Sequence, residues 1–137
     1  MPFTLAIQTP TRPVFDGEVE SIVAPGSEGY LGVLAHHAPL ITGLQAGHLE
    51  VRMPDGQTRT YFVSGGFLEV SHNRAIVLAD SLEAIEELDA ERARGALDEA
   101  RRERATAATS DVAVAEQRLA LARARLRAAK RQRGESY

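Results

Sequence analysis

The chain contains no cysteine. That absence removes disulfides, thiolate zinc sites and cysteine nucleophiles, and it fits a reducing compartment. Long apolar runs are also missing: stretches such as Ala75–Ala79 fall far short of the ~20 residues a membrane helix needs. The N-terminus shows no basic region followed by an apolar signal core, so a soluble intracellular protein is expected. No serine has the context of a nucleophile elbow. Gly29–Gly32 and Ser64–Gly66 lack the glycine spacing and lysine of a phosphate loop, and read as turns. His36 and His37 are adjacent on a loop, with His48 and His72 elsewhere; neighbouring histidines point differently and no acid stands at ligand spacing near them, so the signal for a metal site or a triad is weak, and solvent-facing or interface histidines are expected. At 137 residues and 44% hydrophobic, the chain can bury one modest core and a small appendage, not the deep cleft of a large enzyme.

What is present is an uneven distribution of charge. The net charge is −3, but residues 1–84 hold four arginines against nine acids, and residues 85–116 hold five basic groups against nine acids. From Gln117 onward Arg118, Arg123, Arg125, Arg127, Lys130, Arg131 and Arg133 face only Glu135. An acidic body thus carries a basic tail, suited to nucleic acid, an acidic protein surface, a phosphate ligand or the body itself.

Phe3, Leu5 and Ile7 alternate with Thr4, Ala6 and Gln8, the period of a half-buried strand that Thr9–Pro13 stops. A second strand region starts near Val14, with Asp16-Gly17 expected as a turn. Val19–Ala24 reads as the next strand, closed by Pro25-Gly26. Tyr30–Leu34 is a short apolar run, and Ala35–Leu40 a loop. The most legible hairpin sets Leu49, Val51 and Met53 across Pro54-Asp55-Gly56 from Tyr61-Phe62-Val63, because Asp-Gly supplies the positive φ a tight turn needs. Phe67–Val70 and Ala75–Leu78 form another hairpin around Ser71-His72-Asn73. Short strands with turn signals about every 8–12 residues predict a small antiparallel sandwich or barrel over residues 1–84.

At Asp80–Ala93 the pattern changes, and this junction reads as a hinge between two domains, the second spanning residues 85–137. Ala93, Ala96, Leu97 and Ala100 share one face of a first helix. Thr106–Ser110 interrupts it, and Ser110 or Asp111 is expected to cap a second helix. There Val112, Ala115, Leu119, Ala122, Leu126 and Ala129 recur at alternating steps of 3 and 4, a heptad seam with alanine in every second place. So short a connection predicts an antiparallel hairpin. A buried leucine contributes about 1.5–3 kcal/mol and an alanine methyl under about 1, so the seam is weak while each helix keeps its own propensity.

The basic second helix reads as a solvated coiled-coil face or a binding patch. Having no aromatic or amide side chains beyond Gln117 and Gln132, it does not favour sequence-specific nucleic-acid binding. Asp89 and Arg92 read as a helix-start carboxylate and an i, i+3 ion pair. Alternatively Arg92, Arg123 and Arg127 converge on a polyphosphate if the hairpin folds back.

The segments D-G-E-V-E-S-I-V-A-P-G-S-E-G (Asp16–Gly29), L-G-V-L (Leu31–Leu34), H-A-P-L-I-T (His37–Thr42) and S-G-G-F-L-E-V (Ser64–Val70), continued by L-A-D-S-L-E, resemble the epsilon subunit of bacterial F-type ATP synthase. The resemblance covers essentially the whole chain. It implies an N-terminal antiparallel β-sandwich of about ten strands followed by a C-terminal antiparallel two-helix hairpin. It implies a non-catalytic rotor subunit of the central stalk, binding the gamma subunit and the c-ring, peripheral to the cytoplasmic face of the bacterial plasma membrane. Its hairpin is then a regulator of ATP hydrolysis that meets the alpha and beta subunits when extended.

The same resemblance assigns Tyr30, Leu31, His37, Ala38, Pro39 and Leu40 to the gamma and c-ring contact, with Ala35-His36 in place of the family's Pro-Gly. Leu88-Asp89-Ala90-Glu91-Arg92-Ala93 matches an ATP-binding motif of some members, in which Glu83, Leu88, Asp89, Arg92, Arg123 and Arg127 are the nucleotide contacts. An acid near Glu99 stands in place of a further arginine. ATP is then a regulatory ligand, no cofactor or metal is required, and no catalytic residue or nucleic-acid partner is implied. The alternatives are a β-sandwich adaptor whose basic helix binds acidic proteins or nucleic acid, and a small hydrolase using His36 or His37.

Overall fold

The computed structural model describes residues 1–132; Arg133 and Glu135 of the basic tail lie outside the described residues. The chain divides into two compact units, Met1–Ala84 and a second that begins at Ile85.

The first unit contains ten strands: β1 Phe3–Gln8, β2 Pro13–Val19, β3 Ser21–Gly26, β4 Gly29–Val33, β5 Leu40–Leu44, β6 Gly47–Arg52, β7 Thr58–Val63, β8 Gly66–Ser71, β9 Arg74–Ala79 and β10 Leu82–Ala84. They join in the order β10-β7-β6-β3-β5-β8-β9-β1-β2, with β4 on β3. The two halves of this order meet at the single pair Gly26↔Leu44, which forms a corner and lets the sheet curl on itself. Inside, Leu5, Ile7, Leu68, Val70, Ala75 and Val77 from one half pack with Ile22, Ala24, Leu49, Val51 and Val63 from the other. Strand alternation does this: Leu5 pairs with Ala75 and Ile7 with Val77, so all four point to one face.

Most neighbours are antiparallel, as the hairpin signals require, but β1 and β9 run parallel. Two expected turns lie inside strands. Asp16-Gly17 sits in β2 opposite Ala6 and Leu5, because the reversal from β1 is already made at Thr9–Arg12, where Thr9 N–H donates to the Arg12 carbonyl at 2.9 Å. Pro25-Gly26 ends β3 opposite Tyr30 and Gly29, and Pro25 is tolerated there because its carbonyl accepts from Gln45 N–H at 2.9 Å while its missing donor is not needed. Strands β5 and β10 were not visible in the turn pattern. Gly66 opens β8 at φ 139°, where a Cβ would run into the Leu78 carbonyl.

In the second unit a 3-10 turn, Ile85–Glu87, leads to α1, Ala90–Thr106. Asp89 caps α1, its carboxylate accepting from the Glu91 and Arg92 amides at 2.9 and 3.4 Å. A 3-10 turn, Thr109–Asp111, then runs into α2, Val112–Gln132. Neither Ser110 nor Asp111 is the cap; both lie in that turn, whose own cap position is Ala108 with no side-chain hydrogen bond. Leu97, Ala100 and Ala122 are buried between the helices, with Leu119 and Leu126 partly buried against them. Of the expected α1 face, Ala93, Leu97 and Ala100 are buried and Ala96 is exposed.

Candidate functional site

Among the described residues no three His, Asp or Glu side chains gather as a metal-ligand set. What the first unit presents is surface, in two places. The first is the tip built by β4 and the loop that follows it. Tyr30 is exposed by 56%, yet its Oη accepts the His48 backbone N–H at 3.0 Å. The reason is topological: β3 pairs with β6 only over Ser21–Val23, and beyond that point β6 has no ladder partner on this side. The phenol supplies the missing acceptor. A Cβ at Gly47 would come within 2.7 Å of Tyr30 Oη and 2.9 Å of Pro25 Cβ, so only glycine leaves room for this contact.

Leu31 and Leu40 are partly buried against the core, Ala38 and Pro39 are exposed, and His37 lies between, its Nδ1 2.6 Å from the Ala38 carbonyl. The expected contact residues therefore share this tip, with Leu31 and Leu40 rooting it and Tyr30, Ala38 and Pro39 facing out. The expectation omitted Leu34, which is 65% exposed at the start of the loop. The turn Leu34–His37 closes with His37 N–H donating to the Leu34 carbonyl at 3.2 Å, and its third residue, His36, is left-handed at φ 63°. Histidine exposure was expected throughout, but His48 is buried, because at Gly47–Leu49 both faces of β6 are covered.

The second surface is the outward face of β5, β8 and β9. Phe67 and Leu78 are cross-strand partners, and Ile41 is opposite Glu69, one step along the same face. Ile41, Phe67 and Leu78 are 75, 60 and 50% exposed. Gly43 stands opposite Phe67 and leaves the ring uncovered on that side. Three large apolar groups side by side on one sheet face differ from apolar residues scattered singly. The signal was legible: Phe67 and Leu78 lie in the outward phase of strands whose inward residues are Leu68 and Val77.

In the second unit the motif residues are placed as follows. Leu88 is buried and Asp89 is committed to the helix cap. The expected Asp89–Arg92 ion pair is replaced by a hydrogen bond from the Arg92 backbone, and the exposed Arg92 guanidinium has no ion-pair partner among the described residues. Arg123 and Arg127, one turn apart on α2, are likewise exposed and have no ion-pair partner among the described residues. Glu83 belongs to β10 of the first unit, opposite Phe62.

Along one flank of the hairpin a groove of about 350 Å³ is lined by Ala96, Glu99 and Glu103 of α1 and by Arg118, Leu121 and Arg125 of α2. By the i, i+4 spacing Arg92 lies on that flank, above Ala96. Arg123 and Arg127 lie on the flank of Glu116, whose carboxylate takes Arg104 at 3.0 Å. Helical phase therefore sets Arg92 apart from the other two. Across the groove Arg118 and Glu103 approach to 3.5 Å, and burial lowers the pKa of the Arg125 guanidinium.

Comparison with known proteins gives these surfaces a context. Residues 2–85 match the family described as ATP synthase, Delta/Epsilon chain, beta-sandwich domain. The ATP synthase epsilon chain of Moorella thermoacetica is 50% identical over 126 residues, covering 91% of this chain and 94% of the relative. That of Desulforamulus reducens is 47% identical over 92 residues, 67% of this chain and 69% of the relative. Among solved structures, a chain of the Euglena gracilis mitochondrial ATP synthase OSCP/F1/c-ring assembly superposes with a TM-score of 0.81 at 27% identity, covering 89% of this chain and 78% of the other. A chain of the Tetrahymena thermophila mitochondrial ATP synthase central stalk and c-ring shares the fold, with a TM-score of 0.69 at 18% identity over 92% of this chain and 95% of the other.

Proposed function

The chain belongs to the ATP synthase delta/epsilon chain family, and on that premise we propose that it works as the epsilon subunit of the central stalk, a non-catalytic part of the rotor that joins the gamma subunit to the c-ring. The observation that carries the reading is the outward sheet face of Ile41, Phe67 and Leu78, large apolar groups left in water by a domain whose core is already filled. Such a face suits a permanent neighbour. No helix among the described residues is long and apolar enough to cross a membrane; as a central-stalk subunit the chain is peripheral to the membrane, held through its complex. Its placement on the cytoplasmic face of a bacterial plasma membrane is part of the same proposal.

Co-purification tests the reading. The tagged chain is expected to carry gamma and the c-ring with it, and Phe67→Glu to lose them while keeping its fold. A chain that brings down neither, or that retains both with Phe67→Glu, overturns it. A free-standing adaptor with a basic helix predicts acidic proteins or nucleic acid in the same experiment.

The proposal extends to regulation. The alanine-rich seam supports a hairpin that opens, and the basic α2 supports contact with acidic surfaces of the alpha and beta subunits, where it inhibits ATP hydrolysis. ATP is proposed as the ligand of the folded hairpin. The support is the Leu88–Ala93 motif and the exposed guanidiniums of Arg123 and Arg127, one turn apart on one flank of α2, which can donate charge-assisted hydrogen bonds to a polyphosphate. Glu99 and Glu103 on the flank of Arg92 oppose a second anion there, so the residues fit ATP best from the side of Arg123 and Arg127. Binding to one state shifts the equilibrium only by its differential affinity. Calorimetric titration with ATP is expected to give heat that Arg123→Ala and Arg127→Ala abolish; no heat from the wild-type chain removes the sensor role.

A further inference from the structure

We propose that Asn73 is a positioning residue for the stalk contact: its side-chain amide clamps the turn that carries Leu34 and the Ala35–Pro39 loop. Four observations carry this. The turn residue His36 holds φ 63°, a conformation that a side-chain-bearing residue adopts at a cost, so the turn needs support from outside itself. Its backbone N–H donates to Asn73 Oδ1 at 2.8 Å, a bond that joins residues 37 apart in sequence. Asn73 is itself fixed: with His72 it forms the two-residue connection of the β8–β9 hairpin, both residues left-handed at φ 51° and 57°, as a tight hairpin requires. Its remaining polar groups bind the chain start, where the Thr4 N–H donates to the Asn73 carbonyl at 3.3 Å and Nδ2 reaches the Pro2 carbonyl at 3.5 Å.

One amide side chain thus ties a rigid hairpin and the start of β1 to a loop whose other ties are the Leu34–His37 turn bond, the short His37–Ala38 contact and the packing of Ala35 against the core. Beyond the clamp stands Leu34, the most exposed large apolar side chain of the tip, near the exposed Ala38 and Pro39 in sequence. A loop ordered in advance binds without the entropy cost of ordering on contact, and that advantage is what the amide supplies. The proposal rests on the stalk reading above.

The test uses the full chain and a detergent-solubilised rotor subcomplex of gamma and c-ring. Asn73→Gly keeps the left-handed turn and removes the clamp, whereas Asn73→Asp keeps the Oδ1 acceptor and tolerates the same backbone. In the free protein, backbone order parameters for residues 34–38 are expected to be near 0.85 in the wild type and Asn73→Asp, and to fall below about 0.6 in Asn73→Gly. Affinity for the rotor subcomplex is expected to fall about two- to tenfold in Asn73→Gly, the cost of ordering one loop on binding. It should be restored by Asn73→Asp. Leu34→Ala should weaken binding without changing the order parameters, which separates contact from positioning. An Asn73→Gly variant with an ordered loop overturns the clamp, and one with a disordered loop and unchanged affinity overturns its role in binding. A wild-type chain that ignores the rotor subcomplex overturns the stalk reading, while the order parameters still decide the clamp.

Discussion

Replacing Tyr30 by phenylalanine removes one oxygen atom and leaves the exposed ring in place. The structure gives that oxygen a single internal task, accepting the His48 N–H at 3.0 Å where β6 has run past its β3 partner. Residue 48 is buried and its hydrogen bond to the phenol is partly buried, so the amide loses its acceptor at a place shielded from bulk water. A buried donor stripped of its acceptor costs its desolvation penalty, about 1–3 kcal/mol. For a domain of roughly 60–100 residues each kcal/mol moves the melting midpoint by about 4–8 °C. Tyr30→Phe is therefore expected to lower the sandwich transition by roughly 5–20 °C in calorimetry, and to reduce the urea midpoint with an unchanged slope. A stability within about 0.3 kcal/mol of the wild type would refute the argument that the phenol completes the ladder. Because the ring remains, rotor binding should be unaffected at temperatures where the domain is folded.

His36→Gly is expected to stabilise the sandwich by about 0.5–1 kcal/mol, since it removes a left-handed penalty of about 1–2 and adds part of that back as lost backbone entropy; a lower urea midpoint would contradict it. Asp89→Ala removes the α1 cap and should cost about 1 kcal/mol of helix stability, read as a loss of ellipticity at 222 nm on mild heating, before the sandwich melts. Native-state hydrogen exchange should show α1 and α2 opening together at a free energy below that of β1, β8 and β9, with equal protection of both units as the refuting result.

The elements legible in the sequence were those whose local chemistry matches their place in the fold. Asp55-Gly56 announced the β6–β7 hairpin because Gly56 does adopt φ 89°, and Asp89 announced α1 because its carboxylate does cap the helix. Strand β5 was hidden because Ile41 points outward while Leu40 and Leu44 point in, so its apolar residues do not alternate with polar ones. Asp16-Gly17 misled because a turn dipeptide signals only what the backbone is allowed to do. The tip residues were named as a group only through the resemblance, and the Tyr30–His48 and His36–Asn73 bonds join residues 18 and 37 apart, which no local pattern encodes.

The hairpin's energetics follow from the same comparison of local and long-range terms. Separating α1 from α2 exposes Leu97 and the partly covered Leu119 and Leu126, each leucine contributing at most about 1.5–3 kcal/mol, and alanines that add under about 1 each. The cross-helix pairs Arg104–Glu116 and Arg118–Glu103 are solvent-exposed and contribute about 0–1 kcal/mol apiece. Both pairs lie beside the connection, so helices parting from the opposite end leave them intact until last. The helices themselves, rich in alanine, arginine and leucine, lose little propensity when apart. The parted helices regain conformational freedom, so opening costs less than the sum of these contacts, and a differential affinity of about 5.5 kcal/mol for one state takes a 1:99 equilibrium to 99:1. A leucine at every second seam position in place of alanine would add about 1 kcal/mol or more per exchange to the cost of opening, and a hairpin packed so tightly could not serve the regulatory role proposed for it.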